Sequence, residues 1–235
     1  MTGRVLIVAG SDSGGGAGIQ ADTKAVMALG AYAATAITAL TAQNTCGVHG
    51  VFPVPPAFVQ QQMTVVLDDI GADAIKTGML GTAEMVSAVA ATLRQHAPGL
   101  PVVVDPVMVA KGGARLLDSA AVDAMRGELL PIATLLTPNI PEAEALTGQA
   151  IPDHGAALRA TEALLRMGVA AVLLKGGHLD GEIVQDILAT AAGVVVVATP
   201  RIDTRHTHGT GCTLASAIAA GLAQGMTLES AVRRA

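Results

Sequence analysis

The chain has 235 residues, 51% of them hydrophobic, with 14 Lys plus Arg against 19 Asp plus Glu and a net charge of −5. That is enough apolar material for one large core, while the acidic balance and an aromatic content of 1% supply neither a basic face nor a stacking platform for nucleic acid. Its apolar runs, such as 170–174 and 193–199, fall far short of the roughly 20 residues that span a bilayer, so no membrane crossing is expected.

The N-terminus runs from Met1 through Arg4 straight into an apolar stretch, without the long apolar region and cleavage site of a secretory signal. Two cysteines, Cys46 and Cys212, give no disulfide framework and too few ligands for zinc, and a reducing cytoplasm is the expected setting. Strands are predicted at 4–9, 35–40, 74–77, 101–105, 134–137, 170–175 and 194–198. They alternate with segments of helical periodicity, the pattern of parallel strands joined by crossover helices, and their continuous apolar runs predict burial on both faces. The class is α/β. Thr82 reads as a helix N-cap with Glu84 in the first turn, Asp118 as another start, and Gly30, Gly148 and Gly225 as stops. Pro53, Pro55 and Pro56 mark an irregular connection rather than a linker, so residues 1–235 are expected to form a single domain.

In open α/β sheets ligands bind beyond the carboxyl ends of the strands, and there this sequence collects glycines and polar groups. The most specific stretch is His206-Thr207-His208-Gly209-Thr210-Gly211-Cys212-Thr213, which opens a helix carrying Leu214, Ile218 and Leu222 at four-residue spacing. Free amides at a helix start, approached through glycines, form an anion site suited to a phosphoryl group in transfer. The alternative is a glycine-rich turn capped by Thr207 or Thr210.

Gly16-Ala17-Gly18-Ile19-Gln20-Ala21 fits G-x-G-x-x-[G/A], but no Asp or Glu stands between Asp22 and Asp68 to hold a dinucleotide ribose, which argues against NAD. No Gly-Lys dipeptide occurs, so the common phosphate loop is missing too.

Seven spaced motifs carry a resemblance. Ala9-Gly10-Ser11-Asp12 with Gly15 to Asp22, Ala42-Gln43-Asn44-Thr45, Lys76-Thr77-Gly78-Met79-Leu80, Asp105-Pro106-Val107-Met108, Thr137-Pro138-Asn139 with Glu142, Lys175-Gly176-Gly177-His178 and Thr207 to Thr213 occur in order across nearly the whole chain. They resemble the hydroxymethylpyrimidine/phosphomethylpyrimidine kinases of thiamine biosynthesis, in the ribokinase-like superfamily. The resemblance implies a three-layer αβα sandwich with a central, mostly parallel sheet. It implies an aminopyrimidine alcohol bound near Asp22, Gln43, Met79 and Val107, ATP contacted by Asn139, Lys175 and Thr207, and Mg²⁺ held by Asp105 and Glu142. Gly209, Thr210, Gly211 and Cys212 would form the catalytic loop.

Asp22 would accept from a ring amine, and Gln43 would offer a donor and an acceptor to a heterocycle edge. For Glu142 the plain alternative is charge complementarity at a helix start after Pro141. For Lys175 it is a lysine snorkelling to solvent. Cys212 stands where related sugar kinases resemble one another in carrying Asp as the base. A thiol at a helix start is expected to have a lowered pKa, and either takes the hydroxyl proton or only shapes the oxyanion pocket. Cys46 is expected to be a small buried hydrophobe. A homodimer is implied by the resemblance, as are further C-terminal residues beyond Ala235. The other readings are a pyridoxal kinase on the same fold and a pyrimidine-binding module without activity.

Overall fold

A computed structural model describes residues 3–108, 119–204 and 206–235. Among them, nine strands form one sheet in the order β3-β2-β1-β4-β5-β6-β7-β8-β9. The strands are β1 (Arg4–Asp12), β2 (Tyr32–Gln43), β3 (Val48–Pro53), β4 (Ala74–Thr77), β5 (Val102–Val104), β6 (Leu135–Leu136), β7 (Ala171–Leu174), β8 (Ile183–Thr190) and β9 (Gly193–Pro200). From β2 through β7 all neighbours are parallel. β3 is antiparallel to β2, and β7, β8 and β9 form an antiparallel meander.

The alternation of side chains across each strand divides the core. Leu6, Val8, Val104, Leu136, Val172 and Leu174 point to one face, against α2 (Pro56–Asp69), α3 (Ala83–His96), α4 (Ser119–Ala124), α5 (Ile140–Thr147) and α6 (His154–Leu165). Val5, Ile7, Val103, Leu135 and Leu173 point to the other, against α1 (Gly18–Ala28), α7 (Thr210–Ala223) and α8 (Leu228–Arg234). The result is the expected three-layer sandwich. Small residues carry the close contacts: Ala215, Ala219 and Ala220 of α7 are wholly buried.

Thr82 caps α3 through Met85 N, and Gly148 ends α5 in the left-handed region. Asp118 lies outside the described residues. Two strands are additions to the sequence reading. Residues 48–53, which carry no predicted element, pair with β2 as an edge strand that takes in Pro53 of the expected irregular connection, and β8 carries no strand signal because Gln185 and Asp186 interrupt its apolar run. The strand at 194–198 is therefore reached by a hairpin rather than by a helix. β1 continues to Asp12 and β2 to Gln43, which brings both residues to the carboxyl rim.

Candidate active site

Parallel strands aim their carboxyl ends at one rim, and there the loops enclose a cleft of about 970 Å³. Gln43, Met79, Val107, Asp105, Asn139, Glu142, Lys175, Thr207, Gly209, Thr210, Gly211 and Cys212 all line it. Of the residues expected at the site, Asp22 alone is outside.

The loop before α7 is shaped by its glycines. Gly209 occupies the N-cap with φ of 80°, and a Cβ there would stand 1.7 Å from the carbonyl oxygen of Gly16. No side chain caps the helix, which removes the turn capped by Thr207 or Thr210; the Thr210 hydroxyl instead donates to Thr207 O at 3.0 Å. The Thr210 amide also turns to Thr207 O, and the open amides of the first turn of α7 are those of Gly211 and Cys212. A Cβ on Gly211 would lie 3.1 Å from Lys175 Nζ, so the glycine lets an ammonium stand against the helix start.

Lys175 Nζ is 3.5 Å from Asp105 Oδ1 and 4.0 Å from Glu142 Oε2. Burial opposes its charge, but Asp105 and Glu142 outweigh it and raise the lysine above its ordinary value. It is a cleft cation rather than a snorkelling one. Glu142 also caps α5: its Oε2 accepts from Asn139 N at 2.8 Å, and Asn139 Oδ1 accepts from Glu142 N at 2.9 Å. Burial, with Asp105 beside it, pushes the Glu142 carboxyl up to about 7 against the pull of Lys175. Among the described residues no group of three or more His, Cys, Asp or Glu could hold a metal alone. The paired carboxylates nevertheless fit an ion such as Mg²⁺, which takes one or two carboxylates and completes its shell with water and phosphate oxygens.

On the opposite wall, Gln43 Oε1 accepts from Thr41 Oγ1 at 3.0 Å, and Ser13 Oγ bonds both the amide and the carbonyl of Gln43. The Met79 carbonyl is pinned by Thr38 Oγ1 at 2.6 Å, and Gly10 leaves room for the Met79 sulfur.

Asp22 corrects the sequence reading. It is wholly buried; Lys76 Nζ donates to both its oxygens at 2.8 Å, and Ser216 Oγ donates at 2.7 Å. It is Lys76 that reaches the cleft floor. Burial works against the Lys76 ammonium, yet the Asp22 charge prevails and raises its pKa. The signal was one lysine in an otherwise apolar strand.

Cys212 is a second correction. Burial pushes its thiol up to about 11, with Asp105 and Asp22 adding to the effect, while Lys76 and the Gly18 amide only partly oppose it. Cys46 is exposed rather than buried. Asp12 and His208, to which the sequence alone assigns no role, also line the cleft.

Residues 12–235 match the family model described as phosphomethylpyrimidine kinase. The thiamine biosynthesis bifunctional protein ThiED of Geobacter sulfurreducens is 55% identical over 233 residues, covering 99% of this chain and 47% of the relative, so the chain spans about half of that protein's length. The hydroxymethylpyrimidine/phosphomethylpyrimidine kinase of Streptomyces coelicolor is 51% identical over 231 residues, covering 98% of this chain and 85% of the relative. Among solved structures, an ADP complex of Bacillus subtilis pyridoxal kinase superposes with a TM-score of 0.92 at 36% identity, covering 100% of this chain and 89% of the other. The family match from residue 12 onward, together with an identity above one half to two curated relatives, shows that this chain belongs to the phosphomethylpyrimidine kinase family.

Proposed function

We propose that the chain is an ATP-dependent kinase of thiamine biosynthesis that phosphorylates the primary alcohol of hydroxymethylpyrimidine and then phosphorylates the monophosphate to the diphosphate. The observation that carries this reading is one cleft holding an open helix start, a lysine against it, two carboxylates, and a wall of Gln43, Met79 and Val107. Gln43 and the apolar pair suit the edge and faces of a small heterocycle.

The alcohol oxygen bonds to the γ-phosphorus as the bond to the bridging oxygen breaks and ADP leaves, the hydroxyl proton passing to an oxygen of the transferred phosphoryl group and from there to water. The α7 amides and Lys175 stabilise the charge on the group in flight, and Asn139 and Thr207 contact the nucleotide. Asp105 and Glu142 would hold Mg²⁺, which supplies charge neutralisation at the phosphates. Lys76 fixes a positive charge beneath the alcohol pocket. Cys212 lines the anion pocket as a thiol, its raised pKa making it a poor base before substrate binds.

A pyridoxal kinase is the second reading, favoured by the likeness to the Bacillus subtilis enzyme. Incubating the purified chain with ATP-Mg²⁺ and each alcohol, followed by mass spectrometry, separates the two. Hydroxymethylpyrimidine is expected to gain one phosphate and then a second, faster than pyridoxal gains one. Measurable ligand binding with no phosphate added to any alcohol would overturn the kinase reading. A cytoplasmic homodimer completes the proposal. Two free cysteines support the compartment, and the exposed apolar residues Leu40, Val51 and Phe52 support the pairing.

A further inference from the structure

Two loops far apart in sequence meet at this cleft. Asp12, at the end of β1, is 2% exposed and gathers the first glycine loop: its Oδ1 accepts from Gly14 N at 2.8 Å, and its Oδ2 from Gly16 N at 3.1 Å and Ala17 N at 2.8 Å. The same Oδ2 lies 2.9 Å from Nε2 of His208, which precedes the α7 helix start. Burial pushes the Asp12 carboxyl up, but His208 and the loop amides outweigh it and hold it below its ordinary value, so Asp12 is ionised and His208 Nε2 donates.

The backbones are as close as glycine permits. A Cβ on Gly16 would stand 2.6 Å from the His208 ring, and one on Gly209 would meet Gly16 O. Both loops line the cleft: the first is bonded to Gln43 through Ser13, and the second opens α7.

We propose that Asp12 and His208 are positioning residues, a latch that holds the alcohol-side glycine loop and the phosphoryl-side loop in register. This rests on the kinase reading above. Transfer requires the attacking oxygen and the α7 amides to be placed together, and small misplacements cost rate steeply. Breaking the latch therefore lowers turnover while leaving the alcohol wall of Gln43, Met79 and Val107 in place.

The test compares the full chain with His208→Ala, His208→Gln, Asp12→Asn and the Asp12→Asn/His208→Ala double variant, each checked for folding by circular dichroism. We expect His208→Ala to lose about thirtyfold or more in kcat with KM for the alcohol within about threefold. The Gln side chain can place an amide donor near the Nε2 position, and His208→Gln should recover to within about fivefold of wild type. The double variant should fall within about threefold of the worse single variant, since the bond between Asp12 and His208 is already lost in either one. Hydrogen exchange at the Gly14, Gly16 and Ala17 amides should speed up in His208→Ala by about tenfold. The latch is overturned if His208→Ala keeps its kcat within about threefold, if Gln fails to rescue, if the losses multiply, or if exchange in the first loop is unchanged. A wild type that phosphorylates no alcohol sinks the kinase reading instead, and the exchange measurement then decides the latch alone.

Discussion

At the scale of single residues, environment overrides the rule that a helix start activates a thiol. Cys212 lies at the N-terminus of α7, where the helix dipole favours a thiolate, but burial and the neighbouring carboxylates Asp105 and Asp22 push it up to about 11. A raised pKa means that the thiol persists through neutral pH and the thiolate fraction grows about tenfold per pH unit until that value is approached. Iodoacetamide should therefore modify the exposed Cys46 first at pH 7.5, with Cys212 reacting appreciably only above about pH 9. Peptide mass spectrometry of the alkylated protein across pH checks this, and rapid labelling of Cys212 at neutral pH would reverse the assignment. Asp22 illustrates the limit of reading residues along a line. Its sequence neighbours on α1 give no hint of Lys76, 54 positions away, which takes both its oxygens. The rim residues were legible for the opposite reason: a strand end fixes where a side chain emerges before any tertiary contact is known. Asp12 and His208 fell inside quoted motifs, but their pairing spans 196 positions.

At the scale of elements, what could be read followed burial. The parallel strands are covered on both faces, so their apolar runs stand out, and residues 74–77 were located to the residue. β3 and β8 were invisible because an antiparallel strand with one open face carries Gly50, His49, Gln185 and Asp186 among its apolar residues. Helices packed through small side chains leave their own consequence. Gly221 of α7 faces α8 so closely that a Cβ would meet the Ala231 Cβ at 2.8 Å and Arg234 Nη2 at 3.1 Å. Gly221→Val should therefore push α8 away from the helix that presents the anion loop, and lower stability by about 1–3 kcal/mol as overpacking. Urea denaturation followed by circular dichroism measures it; an unchanged midpoint would mean that α8 repacks freely.

At the scale of the whole molecule, the sheet of the described residues ends on β3 at one side and β9 at the other, and the two edges differ in what they expose. At the β9 edge Val194 and Val196 are open, whereas at the other edge Leu40 and Phe52 form a cross-strand pair between β2 and β3 that is 47% and 68% exposed, with Val51 beside it. An aromatic–aliphatic pair on a sheet edge is costly to leave in water and is a natural contact for a second copy. The same β2 ends at Gln43, so a dimer built here would brace the wall that receives the alcohol. Light scattering on the purified chain is expected to give twice the chain mass. Phe52→Glu should shift it to the monomer, while Val196→Glu at the opposite edge leaves the mass unchanged. Because the ribbon carrying Gln43 loses its support, the Phe52→Glu monomer should show a KM for the alcohol raised by about three- to tenfold with a smaller change in kcat. A monomeric wild type, or a Phe52→Glu protein that still doubles its mass, would exclude this edge as the contact.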